Sequence, residues 1–430
     1  MSQPRATKVL VIGYVWPEPR SSAAGGHMMQ ILESFVQQGW DITFSSPARS
    51  GEHRADLAAL GIAEVPIELN NSSFDTFIRQ LAPDIVLFDR FMMEEQFGWR
   101  VEQHCPDALR VLETSDLQSL RDARHQRLKE RLKASDDNND FHELFAPALH
   151  ETFDFMADTD LAKREIAAIY RCDLNLMISE VEIELLTEQF KLPRSLLHWC
   201  PLMVDPPAAS PVPFEERAHF LHIGNFRHAP NWDAVLWLKT TLWPMIREQI
   251  PGAQLHIYGA YTPPKATALN NPSQGFHVMN WAEDALQVMS ATRVCLAPLR
   301  FGAGIKGKIV DAMLCGTPNV TTPIGAEAMH GDEAWPGAIT RTAREFAQHA
   351  VRLHNDKALW LKAQEQARTL LDSRYRQSIH GPALVEKLQH CMQHLAQIRR
   401  ENFTGGMLRH HHHKSTQYMA QWIEAKNRIN

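Results

Sequence analysis

Short apolar runs rich in β-branched residues alternate along the chain with longer stretches of helical period. In the first half these runs are residues 9–12, 41–45, 85–88, 109–112 and 174–178. In the second half they are residues 220–223, 254–258, 276–279, 293–297 and 318–321. Helical stretches separate them, among them 27–38, 160–170, 232–250, 282–290 and 308–314. Continuous apolar runs are typical of strands buried on both faces, and parallel neighbours need helical crossovers. The pattern therefore predicts an α/β protein with two parallel-sheet domains.

The break between the two series falls at residues 205–214, where PPAASPVP has four prolines in eight residues. A proline-rich stretch favours an extended connector. We therefore predict domains over 1–203 and 204–395 and a helical tail over 396–430, which suits a chain of 430 residues. Because ligands of open α/β sheets bind outside the carboxyl ends of the strands, the cleft between the domains is the expected site.

Two segments depart from the regular alternation. Residues 118–133 are dense in Arg and Lys and are followed by SDDNND and a second helical stretch, which predicts a charged helical hairpin inserted at about 118–160. Such a hairpin is either a solvated surface element or a basic face for an acceptor or a membrane. In the tail, Tyr418, Met419, Trp422 and Ile423 recur at helical spacing. This spacing fits either core packing or contact with a membrane or a partner.

Composition narrows the classes of function. Lys and Arg total 44 against 50 for Asp and Glu, and the net charge of −6 disfavours a nucleic-acid binder, although it allows a local basic patch. The six cysteines have no closely spaced pair, so neither a disulfide framework nor a zinc site is indicated. No apolar run reaches the ~20 residues of a membrane span, and the N-terminal run is too short for a signal peptide. We expect a cytoplasmic protein without a metal site, and peripheral membrane contact stays open.

Glycines follow the first predicted strand at Gly13 and, twelve residues later, at Gly25 and Gly26. A dinucleotide-binding fingerprint has three glycines within six residues directly after the strand, so an NAD or FAD site is disfavoured. Two glycines at a helix start still allow close backbone approach and present N–H groups to an anion. An anion site and a plain helix start without a ligand both fit this spacing.

The second half carries two more glycine loops, each between a predicted strand and a helix. Gly224 opens the first loop, and Arg227 within it suits a diphosphate because a planar guanidinium bridges two oxygens, although a surface arginine also fits. The other loop has glycines at 302, 304 and 307 and lysines at 306 and 308, which together predict an anion cradle. Asp311 follows in the first turn or so of the next helix, where it either binds ribose hydroxyls or stabilises the helix dipole.

The stretches GNFRHAPNWDAV and PLRFGAGIKGKIVDAMLCGTPNVTTPIGAE resemble the donor-binding half of family 4 glycosyltransferases, the group 1 glycosyl transferases. VLVIGY, DIVLFDRF, VLETSDLQSLR and DLNLMISEVE extend the resemblance more weakly, so that it covers the chain to about residue 395. These are retaining enzymes of the GT-B architecture, in which two Rossmann-like domains face each other across a cleft. The resemblance implies an acceptor-side domain over 1–203, a donor-binding domain over 204–395, and a tail that packs back on the first domain.

Site residues follow from the resemblance position by position. The family's ribose-binding carboxylate corresponds to Asp311, where Glu is usual, and the Glu that often touches the transferred sugar is replaced by Ala303. Asp89 stands where the family frequently has His after the fourth strand. The implied catalytic residues are Asp89, Asp116 and Lys306. The implied nucleotide-sugar-binding residues are Gly25, Gly26, Gly224, Arg227, Gly302, Ala303, Gly304, Ile305, Lys306, Lys308 and Asp311.

The activity that the resemblance implies is retaining transfer of a sugar from a UDP- or GDP-sugar to a glycan or lipid-linked acceptor, in bacterial surface polysaccharide or glycoconjugate synthesis. Cations and the helix dipole stabilise the leaving diphosphate, so that neither a metal nor another cofactor is required. Two alternatives stay open. One is a nucleotide-sugar 2-epimerase-like isomerase of the same fold. The other is a catalytically weak nucleotide- or glycan-binding protein, which Ala303 and Asp89 favour.

Overall fold

The structure of the protein is a computed structural model that describes residues 5–134, 149–205 and 211–429. Residues 135–148, in the middle of the predicted hairpin, lie outside the described residues, and so do residues 206–210 of the predicted connector.

A wholly parallel seven-stranded sheet forms the first half, in the order β3-β2-β1-β4-β5-β6-β7. Its strands are β1 (Lys8–Ile12), β2 (Asp41–Ser46), β3 (Ala63–Pro66), β4 (Ile85–Asp89), β5 (Leu109–Glu113), β6 (Leu174–Met177) and β7 (Leu197–Trp199). Its helices are α1 (Ala23–Gln37), α2 (Ser73–Leu81), α3 (Phe91–His104), α4 (Gln118–Ala134), α5 (Leu149–Ala157), α6 (Asp160–Arg171) and α7 (Glu180–Glu184). Alternate residues of β1 enter different apolar cores: Leu10 and Ile12 pack on one face and Val9 and Val11 on the other. Burial on both faces is the reason why such strands are apolar at every position.

A second parallel sheet of six strands has the order β10-β9-β8-β11-β12-β13. Its strands are β8 (Ala218–Ile223), β9 (Leu255–Tyr258), β10 (Phe276–Asn280), β11 (Thr292–Ala297), β12 (Asn319–Thr321) and β13 (Gly337–Ile339). The helices around it are α8 (Ala229–Trp237), α9 (Trp243–Gln249), α10 (Pro264–Thr267), α11 (Ala285–Ser290), α12 (Gly307–Leu314), α13 (Pro323–Ala326), α14 (Ala343–Asn355) and α15 (Lys357–Arg374). A π-helical turn at Leu238–Leu242 joins α8 to α9, so the helix expected over 232–250 is nearly continuous.

Three helices end the chain: α16 (Gln377–Gln393), α17 (Leu395–Glu401) and α18 (Phe403–Ile429). Although α16 lies inside the range 204–395, its Leu384, Leu388 and Cys391 are buried in the core of the first sheet. Gln377 at its start donates to Ser34 of α1 over 3.0 Å. The chain therefore returns to the first sheet at α16. The tail predicted over 396–430 corresponds to α17 and α18, and α18 lies against α3 and α6 of the first half.

The prediction of an α/β protein with two parallel-sheet domains is confirmed, and every predicted apolar run overlaps a strand. The pattern missed β3, β7 and β13, and all three are edge strands of three or four residues. An edge strand has a neighbour on one side only and keeps part of its surface in contact with solvent. It therefore lacks the continuous apolar run that reveals a central strand.

Candidate active site

The segments that follow the carboxyl ends of the two sheets meet each other. After β1, the Glu18 carboxylate accepts a hydrogen bond from the Tyr261 hydroxyl, which follows β9, over 2.9 Å. Near it, the Asn225 side chain, which follows β8, donates to Ser21 O over 3.4 Å. The predicted cleft between the domains is therefore present, and in this arrangement it is closed.

Residues 302–304, which we call the glycine loop, are the centre of this contact. Gly304 has φ +61°, and a Cβ atom there would lie 2.9 Å from the Asp116 Cβ of the first domain. A glycine is therefore required both by the left-handed backbone and by the close approach of Asp116. Ala303 is buried in the apolar core of the first sheet, and Ile305 packs in a cluster that includes Ile178 and Leu202 of the first half.

Two charged side chains of the first domain hold the glycine loop, and the sequence did not indicate either of them. Arg124 on α4 donates to Gly302 O over 2.8 Å and forms two hydrogen bonds of 2.7 Å with the Glu327 carboxylate. Glu182 on α7 accepts a hydrogen bond of 2.6 Å from the Gly304 N–H. The neighbour of Arg124, His125, stacks on Phe301 with a centroid distance of 4.2 Å. The inserted helix α4 is therefore part of the contact between the domains and not only a solvated surface element.

Asp116 lies in the tight turn after β5. The Glu113 carboxylate accepts hydrogen bonds of 2.8 Å from both the N–H and the hydroxyl of Ser115, which has φ +58°. This turn directs Asp116 to the glycine loop, and Arg121 forms an ion pair with it. Burial alone would raise the pKa of Asp116, but Arg121 outweighs burial and lowers it. Asp116 is therefore ionised at neutral pH and is not a general base with a matched pKa.

Asp89, at the end of β4, is 7% exposed and accepts a hydrogen bond from Tyr14 N over 3.0 Å. Burial raises its pKa to about 6, against the opposing charge of Arg90. His27 lies nearby, 3.4 Å from the Glu113 carboxylate. Burial opposes protonation of His27, but its contacts with Cys200 and Glu113 raise its pKa to about 10. A buried group of two carboxyls and one imidazolium thus supports the turn that carries Asp116.

Gly25 and Gly26 lie in the first turn of α1. The N–H of Gly25 donates to the Ser22 hydroxyl and that of Gly26 to Ser22 O, both over 3.1 Å. Ser22 therefore caps the helix and accepts from both N–H groups, which is the interpretation without a ligand that the spacing left open. Their role in donor binding stays a prediction.

The cations of the second domain differ in what their side chains contact. Arg227 is exposed at the rim, where its guanidinium stacks over Tyr261 at 3.5 Å. Lys308 donates to the Asn231 side chain over 2.5 Å, and burial lowers its pKa to about 8. Lys306 is 9% exposed and donates to the carbonyls of Ala303 and Gly304 over 3.2 and 2.5 Å. Lys306 therefore braces the glycine loop from within, whereas the contacts of Lys308 and Arg227 are with Asn231 and Tyr261.

Gly224 and α12 come together at Lys308. A Cβ atom at Gly224 would lie 2.7 Å from the Lys308 ammonium nitrogen, so the loop after β8 lies against the start of α12. Asp311 follows one turn after Lys308, and its side chain accepts no hydrogen bond from the residues that the structure describes. Burial raises the pKa of Asp311 to about 7, against the effect of Lys308. Asp311 therefore has a free carboxyl beside the surface that Gly224 and Lys308 form.

Within residues 5–134, 149–205 and 211–429, no three His, Cys, Asp or Glu side chains are grouped so that they could hold a metal ion. Among the helices of those same segments, none combines the length and the hydropathy that a bilayer span requires.

Residues 217–356 match the family model described as "Glycosyl transferases group 1". No curated protein matches the chain in sequence. Among solved structures, the chain is similar to HepE of Anabaena in complex with UDP-glucose, with 13% identity, a TM-score of 0.64, and coverage of 89% of this chain and 99% of HepE. Sucrose-phosphate synthase of Thermosynechococcus elongatus gives 15% identity, a TM-score of 0.63, and coverage of 90% and 99%. WaaG, a glycosyltransferase involved in lipopolysaccharide biosynthesis, gives 13% identity, a TM-score of 0.60, and coverage of 87% of this chain and 98% of WaaG.

The two facing parallel-sheet domains are those of the GT-B fold, and the similarity to these structures extends over both of them. The family match adds the activity class, because the second domain carries a group 1 glycosyl transferase domain. The protein is therefore a glycosyltransferase of the GT-B fold, as the resemblance of its glycine loops implied.

Proposed function

We propose that the protein is a retaining family 4 glycosyltransferase that uses a UDP- or GDP-sugar and a glycan or lipid-linked acceptor, in bacterial surface polysaccharide or glycoconjugate synthesis. The observation that carries the proposal is the meeting of the Gly224 loop with Lys308 and Asp311 at the carboxyl edge of the second sheet, opposite Asp116. This surface combines backbone N–H groups, a cation and an acceptor for ribose hydroxyls, which are the groups that a nucleoside diphosphate needs. The similar protein HepE was solved with UDP-glucose, which supports a UDP-linked donor.

In the proposed reaction, the bond between the sugar C1 and the β-phosphate oxygen breaks while a bond from C1 to the acceptor oxygen forms on the same face. The acceptor proton passes to the leaving phosphate oxygen, so the products are a glycoside and a nucleoside diphosphate. Lys308, Arg227 and the start of α12 stabilise the charge on the leaving group, and no metal ion takes part. Asp311 holds the ribose, and Lys306 keeps the glycine loop in shape.

The donor enters only after the domains separate. The Asp116 side chain lies against the glycine loop, and the contacts of Arg124, Glu182 and Tyr261 bridge the two halves. A cycle of opening, donor binding and closure follows from this arrangement. Closure excludes water from the reacting sugar, which suppresses hydrolysis of the donor.

The test is incubation of the protein with UDP-, GDP- and dTDP-sugars, with nucleotides and sugars separated by chromatography. Release of a free nucleoside diphosphate, faster with an acceptor glycan, is the expected result. Conversion of one nucleotide sugar into another would instead indicate the 2-epimerase-like isomerase. Binding of UDP or GDP without turnover of any donor would indicate the catalytically weak binding protein. The Asp311→Ala variant should lose nucleotide binding.

We also propose that the protein works at an anionic membrane surface and contacts it through α18. This helix has four Lys and Arg residues and one carboxylate, whereas the chain as a whole has a net charge of −6. Tyr418 and Trp422 are exposed by 66% and 59%, one helical turn apart, and Lys426 follows after another turn. Aromatic and basic side chains on one helical face favour the interface of a bilayer with anionic lipids.

Flotation with lipid vesicles tests the membrane contact. The protein should float with vesicles that contain phosphatidylglycerol and stay behind with pure phosphatidylcholine. The double variant Tyr418→Ser, Trp422→Ser should lose flotation, whereas Leu361→Ser, which changes an exposed leucine on α15, should keep it. Equal flotation of the two variants would contradict contact through α18. Failure of the wild type to float with either lipid would contradict membrane contact altogether.

A further inference from the structure

Glu182 is a first-domain residue whose carboxylate lies at the glycine loop of the second domain. It belongs to α7, where the Ser179 hydroxyl caps the helix by accepting from the Glu182 N–H over 3.3 Å. One carboxylate oxygen accepts from Gly304 N–H over 2.6 Å and from Leu117 N–H over 3.3 Å. The residue is 0% exposed. Its first oxygen is thus fixed between the two domains.

The second oxygen of Glu182 is buried and has no hydrogen-bond partner among the described residues. Buried carboxylate oxygens normally accept at least one hydrogen bond, because water no longer solvates them. Ala303, which precedes Gly304 on the loop, has a methyl side chain that donates no hydrogen bond. An unpaired oxygen therefore lies at the contact between the first domain and the glycine loop.

The charge of Glu182 restricts what this ligand group is. Burial, and after it the charge of Asp116, raises the pKa of Glu182 to about 8. A hydroxyl group that donates to the second oxygen favours the ionised form, whereas a phosphate oxygen would be repelled by that form and by Asp116. The cations that suit the diphosphate, Lys308 and Arg227, contact Asn231 and Tyr261 and not Glu182. The part of the donor that faces Glu182 is therefore its uncharged sugar.

We propose that Glu182 accepts a hydroxyl group of the transferred sugar and so determines, from the first domain, which sugar the glycine loop holds. This role rests on the proposed function. The Glu182 carboxylate reaches the glycine loop only when α7 and this loop are in contact. The sugar is therefore recognised at the step in which the domains close. A correct sugar supplies the hydrogen bond that the closed form otherwise leaves unmade.

The experiment compares Glu182→Gln with Glu184→Gln, an exposed carboxylate on the same helix. The donor is the nucleotide sugar that the wild type hydrolyses fastest in the panel above, and the reference ligand is its nucleoside diphosphate. In Glu182→Gln, the Kd of the nucleoside diphosphate should change less than twofold, while kcat/KM for the donor should fall at least tenfold. Glu184→Gln should behave as the wild type.

Monodeoxy analogues of the donor sugar then identify the hydroxyl group. In the wild type, one analogue should lose at least tenfold in kcat/KM, and in Glu182→Gln the same analogue should lose less than threefold. If every analogue loses the same factor in both proteins, Glu182 does not contact the sugar and only holds the domains together. Equal weakening of the nucleoside diphosphate and the donor in Glu182→Gln would overturn the proposal in the same way.

The two proposals fail differently. A wild-type protein that binds no nucleotide sugar overturns the proposed function, and the role of Glu182 with it. A wild-type protein that hydrolyses a donor and has the same deoxy-sugar profile as Glu182→Gln overturns the role of Glu182 alone. Because glutamine keeps the size of the side chain and an acceptor oxygen, thermal melting curves of Glu182→Gln and Glu184→Gln should coincide within a few degrees. Glu182→Asp, which keeps the carboxyl group on a shorter side chain, is the second variant. Circular dichroism checks that it is folded.

Discussion

The ion pair between Arg124 and Glu327 crosses the closed cleft, and replacing Arg124 by Met should open the two domains. Arg124 is 7% exposed and makes three hydrogen bonds of 2.7–2.8 Å, two of them to the Glu327 carboxylate. Methionine keeps most of the aliphatic length but leaves the Glu327 carboxylate, whose side chain is only 17% exposed, without its partner. Loss of one partner of a buried pair costs about 3–5 kcal/mol. Here the two partners belong to different domains, so the cost falls on the closed form.

Separation of the domains returns Glu327 to water and relieves this cost. At 1.4 kcal/mol for each factor of ten, the ratio of closed to open protein should fall by about 100- to 4000-fold. Small-angle X-ray scattering should show a larger radius of gyration for Arg124→Met than for the wild type, and kcat/KM for the donor should fall. The double variant Arg124→Met, Glu327→Gln should recover part of the closure, because no charge is then left unpaired.

Arg127→Met is the matched control, since Arg127 lies one turn further along α4, is 41% exposed and pairs with Glu130 on its own helix. Exposed pairs of this kind contribute about 0–1 kcal/mol, so this variant should scatter as the wild type. An unchanged radius of gyration and unchanged activity in Arg124→Met would refute the reasoning. So would an equal expansion in Arg127→Met, because expansion would then not depend on the pair across the cleft.

Five further predictions concern nucleotide binding and its pH dependence, two glycine positions, and the pH dependence of stability. Lys308→Met should weaken UDP or GDP at least tenfold and leave the free nucleoside unchanged, whereas Asp311→Asn should weaken both, as isothermal titration calorimetry will show. Because the pKa of Asp311 is about 7 and ribose hydroxyls need an ionised acceptor, nucleoside binding should strengthen from pH 6 to pH 8 in the wild type but not in Asp311→Asn. Gly304→Ala should destabilise the closed form by about 1–3 kcal/mol through its positive φ and its contact with Asp116. Gly26→Ala, in a helix with open space at the Cβ position, should instead stabilise the protein by about 0.4–1 kcal/mol in urea denaturation. Burial raises the pKa of Glu165 to about 7, so the native state keeps a proton that the unfolded chain loses above about pH 4. The free energy of unfolding should therefore fall as the pH rises from 5 to 7, and Glu165→Gln should have a smaller slope over that range; an equal slope would remove Glu165 as a cause.

The fold was largely predictable, and the glycines and cations of the proposed donor surface could be named in advance, because both depend on local features of the chain. Central parallel strands bury both faces and are apolar throughout, and a loop that presents N–H groups at a helix start needs glycines within a few residues. The stretch from Gly302 to Asp311 contains its whole pattern within ten positions. The edge strands β3, β7 and β13 escaped prediction because partial exposure removes the apolar run.

The sequence by itself determined two parallel sheets, the glycine loops and the residue types that suit a nucleoside diphosphate. The tertiary structure alone decided which charges meet across the cleft. Arg124 and Glu327 are 203 positions apart and Glu182 and Gly304 are 122 apart, so no spacing in the sequence connects them. It also decided the direction of Lys306, which points into its own loop because the first domain covers that side. The sequence pattern predicts which groups each helix, strand and loop carries. Only the packing of the two domains brings the buried, unpaired oxygen of Glu182 to the place where we expect a sugar.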